Sequence, residues 1–151
     1  MKREINIKNR KAIFEYQILD NFVAGISLLG TEIKSIRNNK ATISDSYCLF
    51  IDNELFVRNL HISEYMNGGQ TNHRPKRDRK LLLNRQELNK MQTKVAEKGN
   101  SIIPTRLYIN QKGIAKLEIA LAKGKKIHDK RESIKEKDLR RDTERVINQK
   151  K

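Results

Sequence analysis

The chain has 151 residues, and 33 Lys or Arg against 18 Asp or Glu give it a formal net charge of +15 and a sequence pI near 10.1. That length suits one domain with a tail, and a charge surplus of this size repels itself unless a polyanion offsets it, which points to nucleic acid. No run approaches the ~20 apolar residues of a membrane span, no apolar stretch follows the basic start Met1-Lys2-Arg3, and one cysteine excludes an internal disulfide framework.

In chain order, Phe14, Tyr16 and Ile18 alternate with polar neighbours, and Ile26 and Leu28 do so again after Gly25, the period of a half-buried strand. Residues 31–37 read as a short helix with Thr31 as N-cap and Glu32 near its positive end. Tyr47–Ile51 and residues 55–57 flank Asp52-Asn53-Glu54, a hairpin turn because Asp and Asn tolerate turn dihedrals. Cys48 lies inside the first of these strands and reads as a small core residue, not a nucleophile or ligand.

Residues 68–80 form a loop punctuated by Gly68, Gly69 and Pro75, with five Lys or Arg and one acid, Asp78. Its bland reading is a solvated charged loop; in so basic a chain it reads better as an RNA-binding surface carried by Asn72, His73, Arg74, Arg77, Arg79 and Lys80. Asn84 with Glu87 fits an Asn capping box, Leu83 with Leu88 fits a hydrophobic staple, and Leu88, Met91 and Val95 make one stripe ahead of Gly99. These features predict a helix over residues 85–98. Residues 106–110 lead through Gln111-Lys112-Gly113 into residues 114–121, with Leu117, Ile119 and Leu121 facing one way and Lys116 and Glu118 the other. Five or six short strands with two helices suggest a mainly β fold and a closed antiparallel barrel, since an open sheet leaves long edges unpaired. An OB-type barrel matches best, though spacing alone does not separate it from other small barrels.

The barrel is expected over residues 1–122, and a basic tail over residues 123–151, where twelve Lys or Arg meet six acids. Ile127, Ile134, Leu139 and Val146 share no helical phase, so the tail is expected to be disordered alone and helical when bound. Lys123, Lys125, Lys126, Lys130 and Arg131 make its start the densest basic cluster. His128 offers either a ring for stacking on a base or a histidine without function. His61, His73 and His128 fall in separate segments without metal-ligand spacing, and no phosphate-cradling glycine loop or activated nucleophile appears. No metal, cofactor or catalytic residue is expected. A ribonuclease using His73 or His128 is the enzymatic alternative and has no positive support in the sequence.

Divided this way, the chain resembles the SmpB family, the SsrA-binding proteins. The resemblance rests on Asn9-Arg10-Lys11-Ala12, Ala24-Gly25-Ile26, Gly30-Thr31-Glu32-Ile33-Lys34-Ser35, Asp45-Ser46-Tyr47, Asn72-His73, Pro75, Arg77-Asp78-Arg79-Lys80-Leu81-Leu82-Leu83, Ala122-Lys123-Gly124-Lys125-Lys126 and His128-Asp129-Lys130-Arg131-Glu132, in that order. It implies an OB-type barrel without catalytic activity, acting as a cytoplasmic monomer, one or two copies per tmRNA. The barrel would bind the tRNA-like domain of tmRNA, support its alanylation and accompany it to stalled ribosomes. The tail would enter the empty mRNA channel of the small subunit, so that the nascent chain is tagged for degradation and the ribosome released. It carries tmRNA contacts onto Glu32, Lys34, Leu82, Asn84, Lys116, Lys123, Lys125 and Lys126. Decoding-centre and tail roles fall on His128, Asp129, Lys130, Arg131, Val146 and Ile147. Val23 and Asn39 depart from the family pattern, where an acid and a glycine are common. A structural ribosomal protein is the alternative from another class, disfavoured only by the order of the motifs.

Overall fold

The structure is a computed structural model and describes residues 4–124. Its longest hairpin joins β8 (Asn100–Ile109) to β9 (Ala115–Gly124). Asn110 closes the turn by accepting the Lys112 and Ile114 amides on its side chain, and Gly113 takes φ +81°, a conformation glycine reaches without strain. The other hairpin, β4 (Tyr47–Ile51) and β5 (Glu54–Arg58), turns on Asp52 and Asn53, both at positive φ. Glu54 is therefore the first strand residue, not the last of the turn.

The remaining strands are β1 (Asn6–Lys8), β2 (Tyr16–Ile26), β3 (Ala41–Thr42), β6 (His61–Ile62) and β7 (Arg79–Leu82). Antiparallel pairing runs β8-β4-β5-β7-β2-β9, and β9 returns to β8, so the sheet closes into the expected barrel. The seam is thinnest between β4 and β8, where only Cys48 and Ile102 are in register. β1 adds to the free length of β8, and β3 with β6 forms a separate small ladder.

The barrel interior takes Phe22, Ala24 and Ile26 from β2, Leu55 and Val57 from β5, Leu81 from β7, Ile102 and Leu107 from β8, and Leu117, Ile119 and Leu121 from β9. Burying one such aliphatic side chain contributes ~1.5–3 kcal/mol. Cys48 is buried in this cluster, and burial pushes its thiol pKa well up, which fits a core residue and removes the nucleophile. No helix among the described residues is long and apolar enough to cross a membrane.

Among the described residues, three α-helices and a single 3-10 turn at Gly69–Thr71 accompany the strands. α1 (Arg10–Glu15) falls where the alternation of Phe14, Tyr16 and Ile18 predicts strand, so the strand begins only at Tyr16. Its cap explains the difference: the buried Asn9 side chain accepts the Ala12 amide at 3.2 Å and donates to the Pro104 carbonyl at 2.8 Å. A tertiary contact thus fixes a helix too short to stand alone. α2 (Gly30–Arg37) starts earlier than expected; its N-cap is Leu29, whose amide is accepted by Glu32, and Thr31 lies inside the helix. α3 (Arg85–Val95) carries the predicted capping box, with Asn84 Oδ1 accepting the Glu87 amide at 2.8 Å and Glu87 Oε1 accepting the Asn84 amide at 3.3 Å. It buries Leu88 and Met91 against the core and ends short of Lys98, with Gly99 at φ +85°.

Candidate nucleic-acid interface

The ladder registers bring one row of residues across the outside of the barrel. Leu82 on β7 pairs with Gly25 on β2, Gly25 with Lys116 on β9, Lys116 with Tyr108 on β8, and Tyr108 with Asn6 on β1. Two residues along, Val23, Glu118, Arg106 and Lys8 make a second row on the same face. Farther along, α1 packs Ala12 over Ile103, Ala120 and Ala122, the two strand alanines leaving room for the helix to approach. Among the described residues nothing covers the Leu82–Lys116 half, and Leu82 (53% exposed) and Val23 (50%) present apolar surface there. Gly25 shapes this half: a Cβ on it meets Leu82 Cβ at 3.2 Å, so Leu82 leans closely over it and a side chain there fits only if Leu82 gives by a few tenths of an ångström. Arg106 Nε donates to Glu118 Oε2 at 3.0 Å, and Arg106 Cζ lies 4.0 Å from the centre of the Tyr108 ring. Sequence reasoning passed over Arg106, Tyr108 and Gly25. The signal was available for two of them, because the hairpin register sets Tyr108 against Lys116 and Arg106 against Glu118.

Asn84, immediately beyond Leu83, is exposed; its Oδ1 is taken by the cap, while its Nδ2 meets no partner among the described residues. Lys34 is exposed on α2, its ammonium 5.4 Å from the centre of the Tyr65 ring. Lys123 is not brought to Lys116: seven residues of strand separate them, roughly 23 Å at ~3.3 Å per residue. Lys123 lies instead over Gly99, at the far end of β9. Lys125, Lys126, His128, Asp129, Lys130, Arg131, Val146 and Ile147 lie outside the described residues.

The loop of residues 68–80 divides in a way its composition hides. Arg74 and Lys80 are exposed, and Lys80 makes a long pair with Glu54 at 3.8 Å. Arg79 is fully buried, as is Glu32. Arg79 Nε donates to Glu32 Oε2, while its other nitrogens donate to the carbonyls of Leu60 at 2.7 Å and Pro75 at 3.1 Å. Arg77, partly buried, donates to Glu32 Oε1 at 2.6 Å and to the Ser27 carbonyl at 3.3 Å. Burial by itself pushes the Glu32 carboxyl upward, but the Arg77 hydrogen bond, the Leu29 amide and the Arg79 charge outweigh it and hold it below the usual carboxylate range. The Arg79 guanidinium is drawn below its ordinary value by burial, against the opposing pull of Glu32.

Two more loop residues are committed inward. His73 is buried; Nε2 donates to the Ile62 carbonyl at 2.8 Å and Nδ1 meets Thr31 Oγ1 at 2.8 Å. Asn72 accepts the Tyr65 amide at 3.1 Å and donates to the Tyr65 carbonyl at 2.6 Å, and a Cβ on Gly68 meets its Nδ2 at 2.7 Å. Glu32, His73 and Arg79, expected to contact RNA, are buried in this structure, where they tie α2, β6 and β7 together from beneath. The buried His73 ring also leaves no accessible acid or base there, and no cluster of three or more His, Cys, Asp or Glu among the described residues is arranged to hold a metal.

Comparison with known proteins gives the family. Over residues 6–149 the chain matches the family described as "SmpB protein". It is 56% identical over 143 residues to the SsrA-binding protein of Bacteroides thetaiotaomicron, covering 95% of each chain. It is also 56% identical over 146 residues to the SsrA-binding protein of Flavobacterium psychrophilum, covering 97% of each. A solved structure, "tmRNA-SmpB: a journey to the center of the bacterial ribosome", is similar with a TM-score of 0.71 at 41% identity, covering 86% of this chain and 94% of that one.

Proposed function

The chain belongs to the SmpB protein family, and on that premise we propose that it is a tmRNA-binding protein of trans-translation, not an enzyme. It binds the tRNA-like domain of tmRNA, supports its alanylation and accompanies it to stalled ribosomes. The observation that carries the contact surface is the uncovered outer row, where Leu82, Lys116 and the nearby Asn84 cluster beside exposed apolar area. Apolar surface with a few cations suits a folded RNA, since bases and riboses meet the apolar groups while lysines meet phosphates.

The roles within the site follow from burial. Leu82, Asn84, Lys116 and Lys34 face outward and touch RNA. Glu32, Arg79 and His73 hold α2 and β7 at the right spacing, so their influence on RNA binding passes through the fold. Arg74 and Lys80 add phosphate contacts from the exposed part of the loop. Lys123 begins a separate basic segment with Lys125 and Lys126. Beyond it, His128, Asp129, Lys130 and Arg131 serve the decoding centre, and Val146 with Ile147 anchors the tail in the mRNA channel. Residues 1–122 thus grip tmRNA, and residues 123–151 read the ribosome.

Translation in a reconstituted system tests this reading. With an mRNA lacking a stop codon, tmRNA and this protein, the nascent chain acquires the tmRNA-encoded tag and leaves the ribosome; without the protein it does neither. Equal tagging with and without the protein contradicts the assignment. Stoichiometric presence on every small subunit, with no enrichment on stalled ribosomes, favours the structural ribosomal protein instead.

A further inference from the structure

Arg106 and Tyr108 stand two apart on β8 and project from the same outer face of the barrel. Arg106 is fixed on two sides, with Cζ 4.0 Å from the Tyr108 ring centre and Nε 3.0 Å from Glu118 Oε2. Its Nη1 and Nη2 have no hydrogen-bond partner among the described residues. Lys116 lies directly opposite Tyr108 in the ladder. A partly exposed ion pair of this kind contributes little to stability, so stability does not account for the arrangement. What it achieves is a planar cation held against an aromatic ring before any ligand arrives, which lowers the ordering cost of binding. Glu118 bears on the kind of ligand. Its carboxylate offsets the guanidinium charge and repels a bare phosphate, so the pair is a poor anion site and a good flat surface.

Resting on the RNA-binding reading above, the geometry points to a docking platform for one unpaired nucleobase of the bound RNA. The base stacks on the Arg106–Tyr108 pair, and Lys116 neutralises a phosphate of the same strand. A duplex offers no free base face, so the platform selects a looped-out or splayed nucleotide.

Gel-shift titrations of the full chain with tmRNA over a range of salt concentrations test the platform, using Tyr108→Leu, Tyr108→Phe and Lys116→Ala. Tyr108→Leu weakens binding roughly 5- to 150-fold with the salt slope unchanged, because stacking releases no counterion. Tyr108→Phe keeps the ring and binds within about twofold of the parent, while Lys116→Ala flattens the slope of log K against log salt by ~0.7–0.9. Wild-type affinity in Tyr108→Leu overturns the platform, as does a Tyr108→Phe variant as weak as Tyr108→Leu. Ultraviolet crosslinking of the unaltered protein to tmRNA gives a check that needs no variant: a crosslink in the peptide carrying Tyr108 supports the platform, and a crosslink map without it contradicts it. If the parent protein shows no preference for tmRNA, the functional reading fails, and the platform stands or falls on the same comparison with whichever RNA is bound.

Discussion

Glu32 concentrates the residue-scale argument. Its two oxygens, themselves shielded from solvent, accept hydrogen bonds from the partly exposed Arg77, the buried Arg79 and the Leu29 amide. Neutralising it leaves the buried Arg79 guanidinium unbalanced, so Glu32→Gln lowers the unfolding free energy by ~3–5 kcal/mol in urea melts. The carboxyl is held below its ordinary value of 4.5, so the ionised knot stabilises the fold fully above that pH. That stability is lost as pH falls through the depressed folded value. Urea melts across acid pH therefore show a decline beginning below about pH 4.5, shallower in Glu32→Gln. Asn84→Ala loses ~1 kcal/mol from the cap alone; a loss of tmRNA affinity with the fold still saturated measures the RNA contact separately. The capping box was legible in sequence because both partners sit three residues apart. The inward turn of Arg77 and Arg79 was not, because their partner lies 45 and 47 residues upstream. A basic loop reads the same in sequence whether its arginines face phosphate or a buried carboxylate.

At the scale of elements, turn chemistry wrote the hairpins plainly. Asp52-Asn53 and Asn110 with Gly113 each place residues suited to positive φ or to side-chain closure where the chain reverses. α1 stayed hidden because its cap depends on Asn9 bonding to Pro104, a contact across 95 residues. Leu29 as an N-cap was equally hidden, since its amide is satisfied by Glu32 and no polar cap side chain announces it. The crossing of β2 and β7 yields a further test. Gly25→Val drives a branched side chain into Leu82 Cβ, already 3.2 Å from the first added carbon, and costs ~1–3 kcal/mol in denaturant melts. The displaced Leu82 also weakens tmRNA binding by more than the stability loss explains, which a gel shift of the folded variant reads out.

The whole molecule turns on closure. The alternation of β9 and the number of short strands indicated a barrel, but the ring order β8-β4-β5-β7-β2-β9 depends on long-range pairings that no local pattern encodes. The same holds for the candidate site: Leu82, Gly25, Lys116 and Tyr108 become neighbours only because β7, β2, β9 and β8 lie side by side. Net charge reported the polyanion without reporting which face meets it. The proposed division of labour between barrel and tail gives the prediction at this scale. Truncation before Glu132 leaves tmRNA binding largely intact and abolishes tagging in reconstituted translation; a truncated protein that loses tmRNA affinity as badly as Lys116→Ala contradicts the division. The central claim, a barrel that selects tmRNA through its uncovered outer face, is tested most directly by a competitive gel shift. Labelled tmRNA is challenged with an unrelated folded RNA of similar length, for the full chain and for Lys116→Ala. The account predicts strong preference for tmRNA that shrinks in the variant, and a preference near unity for the full chain contradicts it.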